Sequence, residues 1–145
     1  MSEAAASQII QASCVAIDGR AVMIEGEPGS GKSSLALALI DRGARLIGDD
    51  GVTLTQSGEQ VIAAPPPNIA GKMEIRHVGV TDMPATSAPL ALIITLADNA
   101  PRLVEPAPKR AVLGMAIPEL TLPAHDPQLA LRAEYALQMH GLKTA

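Results

Sequence analysis

Gly26-Glu27-Pro28-Gly29-Ser30-Gly31-Lys32-Ser33 carries the most explicit chemistry in the sequence. Gly26, Gly31, Lys32 and Ser33 meet the pattern G-x-x-x-x-G-K-[ST] in full, a spacing that wraps backbone around phosphate. The glycines let successive N–H groups turn inward toward phosphate oxygens. A helix beginning at Lys32 would add the positive end of its dipole. In such a loop Lys32 reaches the β- and γ-phosphates, while the Ser33 hydroxyl ligates Mg²⁺. Glu27, Pro28, Gly29, Ser30 and Ser34 complete the nucleotide-binding stretch. The ligands expected from these residues are ATP and Mg²⁺.

Carboxylates are needed beside such a loop, and two places offer them. Asp49 and Asp50 follow Lys32 by 17 and 18 residues, enough for one helix and one returning strand. Two adjacent carboxylates there can divide the work, one assisting the metal and the other serving as general base. By themselves they would read as a turn opening a hairpin. Asp98 ends the apolar run 92–98, where many phosphate-loop ATPases hold their metal carboxylate. It reads more simply as the polar turn that closes a core strand.

The elements that must position these groups are legible in outline. Apolar runs 13–17 and 21–25 flank Asp18-Gly19, a hairpin signal, and the second run feeds the loop. Residues 32–41 place Leu35, Ala38 and Leu39 at helical spacing, and Gly43 stops that helix. Strands are expected at 45–48, 52–54 and 60–63, the last two joined at Ser57-Gly58. Prolines 65–67 begin an extended connection, 73–80 alternates as one strand, and 90–96 reads as a buried central strand. A proline-rich loop spans 101–109. Residues 111–122 read as two short strands broken at Pro118, and 127–140 as a helix with Pro127 at its first position. The expected fold is α/β: a mixed sheet packed on the helix after the phosphate loop, with short hairpins and a C-terminal helix. One domain over 1–145 is expected, with 1–8 as a frayed end.

Composition narrows the partners. With 145 residues, 48% of them hydrophobic and 18% charged, the chain can bury an ordinary core. Tyr135 is the only aromatic residue, so no stacking platform for single-stranded nucleic acid exists. A net charge of −4 without a basic cluster argues against nucleic acid as partner. Cys14 stands alone, which excludes a disulfide framework or cysteine-based zinc site. The longest apolar run is far below the ~20 residues that span a bilayer, and the N-terminus lacks signal-peptide features. A cytoplasmic protein without a membrane partner is expected.

Taken together, Gly26 to Ser33, Arg42-Gly43, Leu46 to Val52, Glu74-Ile75-Arg76 and Val78-Gly79-Val80 resemble HPr kinase/phosphorylase, in a short form holding only its C-terminal catalytic domain. The resemblance implies an ATP-dependent protein-serine kinase acting on HPr of the sugar phosphotransferase system, with reverse phosphorolysis of phosphoserine-HPr. It implies Lys32 on phosphate, Ser33 with Glu74 as the Mg²⁺ pair, and Asp50 as the base on the serine hydroxyl. Asp49 would couple to Asp50, Arg102 would steady the transferring phosphoryl, and the assembly would be a hexamer. By residue type alone Glu74 is as well a solvated strand residue, and Arg102 plain surface.

Three positions depart from the family pattern. Gln11 stands fifteen residues before Gly26, where the family has a histidine, and glutamine does not titrate near neutral pH. His77 stands where the family has glycine, and it is expected to replace part of the missing imidazole near Asp50. The family's basic Pro-Val-Arg-Pro-Gly-Arg-Asn stretch, tied to phosphorolysis, is replaced at 122–127. Two other functions stay open on the sequence: a degenerate nucleotide-binding regulatory module, and a small-molecule kinase or ATPase that uses Asp98.

Overall fold

The computed structural model describes residues 6–103 and 105–143. Its strands are β1 (Ser7–Ile10), β2 (Ser13–Ile17), β3 (Arg20–Gly26), β4 (Arg45–Gly48), β5 (Val52–Ser57), β6 (Gln60–Ala64), β7 (Lys72–Ile75), β8 (Gly79–Asp82), β9 (Ala88–Ala97), β10 (Lys109–Val112) and β11 (Met115–Pro123). The helices are α1 (Lys32–Asp41) and α2 (Leu129–His140). Nine strands form one curled sheet, seven of them in the order β1-β5-β6-β9-β3-β2-β4, with β11 and β10 branching off it. β9 is its branch point: its first residues pair with β6, and its later ones with β11. β10 extends β11 as a hairpin, and β7 pairs with β8 apart from the main sheet.

Side-chain alternation decides which face each strand gives to which layer. Val22 and Ile24 of β3 point to the side of α1 and α2, packing with Leu35, Leu39, Leu92 and Ile94. Ala21 and Met23 point the other way, into a second cluster with Leu54, Val61, Ile93 and Ile117. β9 keeps this pattern in spite of its length because the β3–β9 register shifts by one residue after Ala21↔Leu90. Such a bulge re-aims the strand without ending it.

α1 starts after Gly31 without a side-chain cap, and it ends in a closed C-terminal motif. Gly43 N–H donates to Ile40 O and Ala44 N–H to Leu39 O, with Gly43 at φ 112°. A left-handed glycine there satisfies two carbonyls that would otherwise be free.

Four expectations need correction. Ser7 and Gln8 are not frayed: they belong to β1, which pairs with Thr55 and Leu54 of β5. Ala6 is tied down as well, its carbonyl accepting Gln56 N–H at 2.8 Å, and residues 1–5 lie outside the described residues. The segment 73–80 is not one strand but the hairpin β7–β8, turning at residues 76–78. Its turn residue His77 takes φ 71°, which residue type does not announce. Pro118 does not break 111–122; the break is at Leu113-Gly114, and Pro118 lies inside β11. Glu119 N–H reaches Pro108 O on the β10 side, so the donor missing at Pro118 faces β9, whose pairing begins only at Glu119. α2 begins at Leu129, since Asp126 first forms a turn by accepting Gln128 N–H at 2.7 Å.

Candidate active site

β3 and the parallel β9 end side by side, with Gly26 opposite Leu96, and the phosphate loop leaves the sheet there. A Cβ at Gly26 would stand 2.4 Å from Ser30 Oγ and 3.1 Å from Leu96 O, so the loop closes this tightly only on glycine. Ser30 N–H donates to Glu27 O at 3.0 Å, and Gly29 and Gly31 take φ of 84° and 105°. The N–H groups of Lys32, Ser33 and Ser34 form the first turn of α1, where a helix has no acceptors of its own. Lys32 folds back over the loop, its Nζ donating to Gly26 O at 2.8 Å. Glu27, Pro28 and Gly29 are exposed at the rim. Ser30 Oγ is buried inside the loop without a hydrogen-bond partner among the described residues. These donors and this cradle suit a polyphosphate.

Asp49 and Asp50 sit just past β4 in a turn that only Gly48 permits. A Cβ at Gly48 would lie 1.9 Å from Gly51 O. Asp50 takes φ 62°, a left-handed conformation that aspartate tolerates better than most residues. The turn drives the neighbouring carboxylates apart. Asp49 is half-buried and accepts three hydrogen bonds: Ser33 Oγ–H to Oδ1 at 2.7 Å, Ser13 Oγ–H to Oδ1 at 3.3 Å, and Glu74 N–H to Oδ2 at 3.2 Å. Asp50 is exposed and has no side-chain hydrogen bond among the described residues. A carboxylate saturated with donors orients its neighbours, while one with free lone pairs can take a proton.

The structure therefore brings Lys32, Ser33, Asp49 and the backbone of Glu74 together at one end of the sheet, with Asp50 beside them. Ser33 and Glu74 reach the same carboxylate from α1 and β7. The Ser33 hydroxyl oxygen beside the Asp49 carboxylate is the oxygen-donor chemistry that Mg²⁺ takes, since it commonly uses only one or two protein ligands and fills its shell with phosphate oxygens and water, whereas Glu74 meets Asp49 here through its backbone N–H.

Other sequence candidates lie elsewhere. Asp98 is exposed beyond β9, and the Ser33 hydroxyl is committed to Asp49 instead. Arg102 lines a groove of about 460 Å³ with Leu120, Leu122, Tyr135 and Met139 of β11 and α2. It makes no hydrogen bond or ion pair with the loop or the aspartates among the described residues. Gln11 is exposed between β1 and β2. His77 stands at the exposed tip of the β7–β8 hairpin and makes no hydrogen bond to either aspartate among the described residues.

Two features were missed in the sequence. Ser13 reads there as an ordinary strand residue, yet it faces Asp49. Arg110 on β10 bridges Glu25 at 2.6 Å and also Glu119, whose other partner is Thr95 Oγ at 3.2 Å. The hydrogen bond to Glu25 holds the Arg110 pKa above its usual value. This tie fixes the residue immediately before Gly26 to β10 and β11. Alternation gives the only signal: Glu25, Thr95 and Glu119 are the polar members of otherwise apolar strand faces.

The chain can be set beside known proteins on this geometry. A family model described as HPr serine kinase C-terminal domain matches residues 2–144. A protein named HPr kinase/phosphorylase from Xylella fastidiosa is 33% identical over 144 residues, covering 85% of this chain and 45% of that protein. One of the same name from Chlorobium phaeobacteroides is 43% identical over 74 residues, 50% of this chain and 22% of the relative. The chain thus spans less than half the length of these curated relatives. A solved structure described as the HPr(Ser) kinase/phosphatase from Coxiella burnetii superposes with a TM-score of 0.79 at 32% identity, covering 90% of this chain and 88% of that one. Matched over nearly its whole length, the chain belongs to the HPr serine kinase C-terminal domain family.

Proposed function

We propose that the protein is an ATP-dependent, Mg²⁺-requiring kinase that phosphorylates a serine of HPr. The observation that carries this reading is the convergence of Ser33, Asp49 and the Glu74 backbone at the mouth of the phosphate loop, with the exposed Asp50 beside it making no side-chain hydrogen bond among the described residues. Lys32 and the first-turn N–H groups of α1 would hold the β- and γ-phosphates. Ser33 and Glu74 would hold Mg²⁺, which when bound neutralises charge developing on the phosphoryl oxygens. Asp49 fixes the Ser33 hydroxyl. Asp50 would accept the proton of the incoming serine hydroxyl.

In reverse, Asp50 would return that proton to the serine oxygen as inorganic phosphate takes the phosphoryl group, yielding pyrophosphate. Residues 122–127 lack the family's basic stretch, so the forward direction is the better supported half. Arg102 enters this proposal only through the family resemblance. Hexameric assembly is proposed on the same resemblance; Leu131, Tyr135 and Met139, exposed at intervals of four along α2, offer apolar surface for it. Among the described residues no helix is long and apolar enough to cross a membrane. A kinase drawing on ATP and HPr would work in the cytoplasm.

The test is incubation with γ-labelled ATP, Mg²⁺ and HPr from the same cell. Labelled phosphoserine on HPr is the expected product. Nucleotide binding without any transfer would instead make the protein a regulatory nucleotide-binding module.

A further inference from the structure

Asp49 is fastened from three elements, and one of its donors has no part in the function proposed above. Ser13 of β2 is completely buried, one of only two buried polar residues among those described. It is in place because β2 runs antiparallel to β4 with Cys14 opposite Gly48. Continuing that register by one residue sets Ser13 opposite Asp49, and its hydroxyl donates to Oδ1 at 3.3 Å. The same oxygen accepts the Ser33 hydroxyl at 2.7 Å. Gln11 and His77 are exposed and bond to neither aspartate among the described residues.

We propose that Ser13 is a positioning residue for the metal end of the site, acting through the Asp49 carboxylate. With Glu74 N–H on Oδ2 and Ser13 on Oδ1, the carboxylate plane is set by groups outside the phosphate loop. Ser33 must then spend its hydroxyl hydrogen on Oδ1, which turns its oxygen lone pairs away from Asp49 and makes them available to a cation. Without Ser13 the carboxylate can rotate with the Ser33 side chain, and the lone pairs lose their fixed direction. A neutral hydroxyl suits this place in the core: satisfied by the carboxylate, it costs little to bury. The inference rests on the kinase reading for the identity of the cation, Mg²⁺.

Calorimetric titration of Mg²⁺ into protein saturated with a non-hydrolysable ATP analogue provides the test. Ser13→Ala is expected to raise the Mg²⁺ concentration for half-saturation roughly ten- to a hundredfold, the range set by one hydrogen bond to a charged group. Ser13→Thr, which keeps the hydroxyl, is expected to restore it. Analogue affinity without Mg²⁺ should change less than about two-fold, since Ser13 is remote from phosphate in this scheme. A role in packing alone would lower the melting temperature of Ser13→Ala and leave Mg²⁺ half-saturation in place, which overturns the proposal. Loss in both variants equally overturns it too, because the hydroxyl would then not be the cause. Wild-type protein that binds Mg²⁺ and analogue but never phosphorylates HPr would refute the proposed function and leave this inference standing. A wild type with no Mg²⁺-dependent binding would refute both.

Discussion

At Gly48 a single missing side chain decides the geometry of the acidic turn. The carbonyl of Gly51 occupies the space of a Cβ, at 1.9 Å. Gly48→Ala must therefore move backbone on one side of the turn and is expected to cost about 2–4 kcal/mol, read as a lower denaturant midpoint. An unchanged midpoint would mean that the turn is softer than described. Cys14 makes the opposite case, a reactive residue silenced by its place. Complete burial pushes its thiol pKa above the usual thiol range. Because the folded value is the raised one, the thiol form supports stability at neutral pH, and that support disappears only as pH climbs past the ordinary thiol range. Alkylation by iodoacetamide at pH 8 is expected to run roughly a hundredfold or more slower in native than in denatured protein, since only thiolate reacts. At this scale the phosphate loop was legible from residue type alone. The partition between Asp49 and Asp50 was not, because it depends on φ at Asp50 and on donors from β2, α1 and β7.

At the scale of elements, local signals worked where they were strong and failed where tertiary pairing overruled them. Asp18-Gly19, the helix after the loop and the apolar run of β9 were all visible, since each obeys a turn or periodicity rule of its own. β1 was invisible because Ser7 to Ile10 is a solvent-exposed edge strand whose order comes from β5. The β7–β8 hairpin was hidden by His77, which sits at φ 71° where glycine or asparagine would have announced a turn. His77→Gly is thus expected to relieve strain and raise stability by roughly 0.5–1 kcal/mol, measured as a higher melting temperature, with phosphoryl transfer retained. A fall in transfer would restore a catalytic part for the imidazole.

For the whole molecule, the sheet's curl brings three sequence-distant segments to one end. β3 contributes the loop, β4 the acidic turn, and β7 the backbone that closes on Asp49. The segments from Gly26 to Glu74 therefore form the candidate site, and they coincide with the stretch where the family resemblance is densest. The rest, from β9 to α2, supplies the core and the apolar α2 face. It also carries Asp98 and Arg102, neither of which is bonded to the loop or the aspartates among the described residues.

The central claim is that Asp50 serves as base in a protein-serine kinase whose loop is partnered by Asp49. Phosphate transfer from γ-labelled ATP to HPr, measured for Asp50→Ala and Asp98→Ala side by side, tests it most directly. Asp50→Ala is expected to lose roughly a hundredfold or more in rate while still binding Mg²⁺-nucleotide, and Asp98→Ala to match wild type. Survival of transfer in Asp50→Ala with loss in Asp98→Ala would contradict the account and return the metal site to the end of β9.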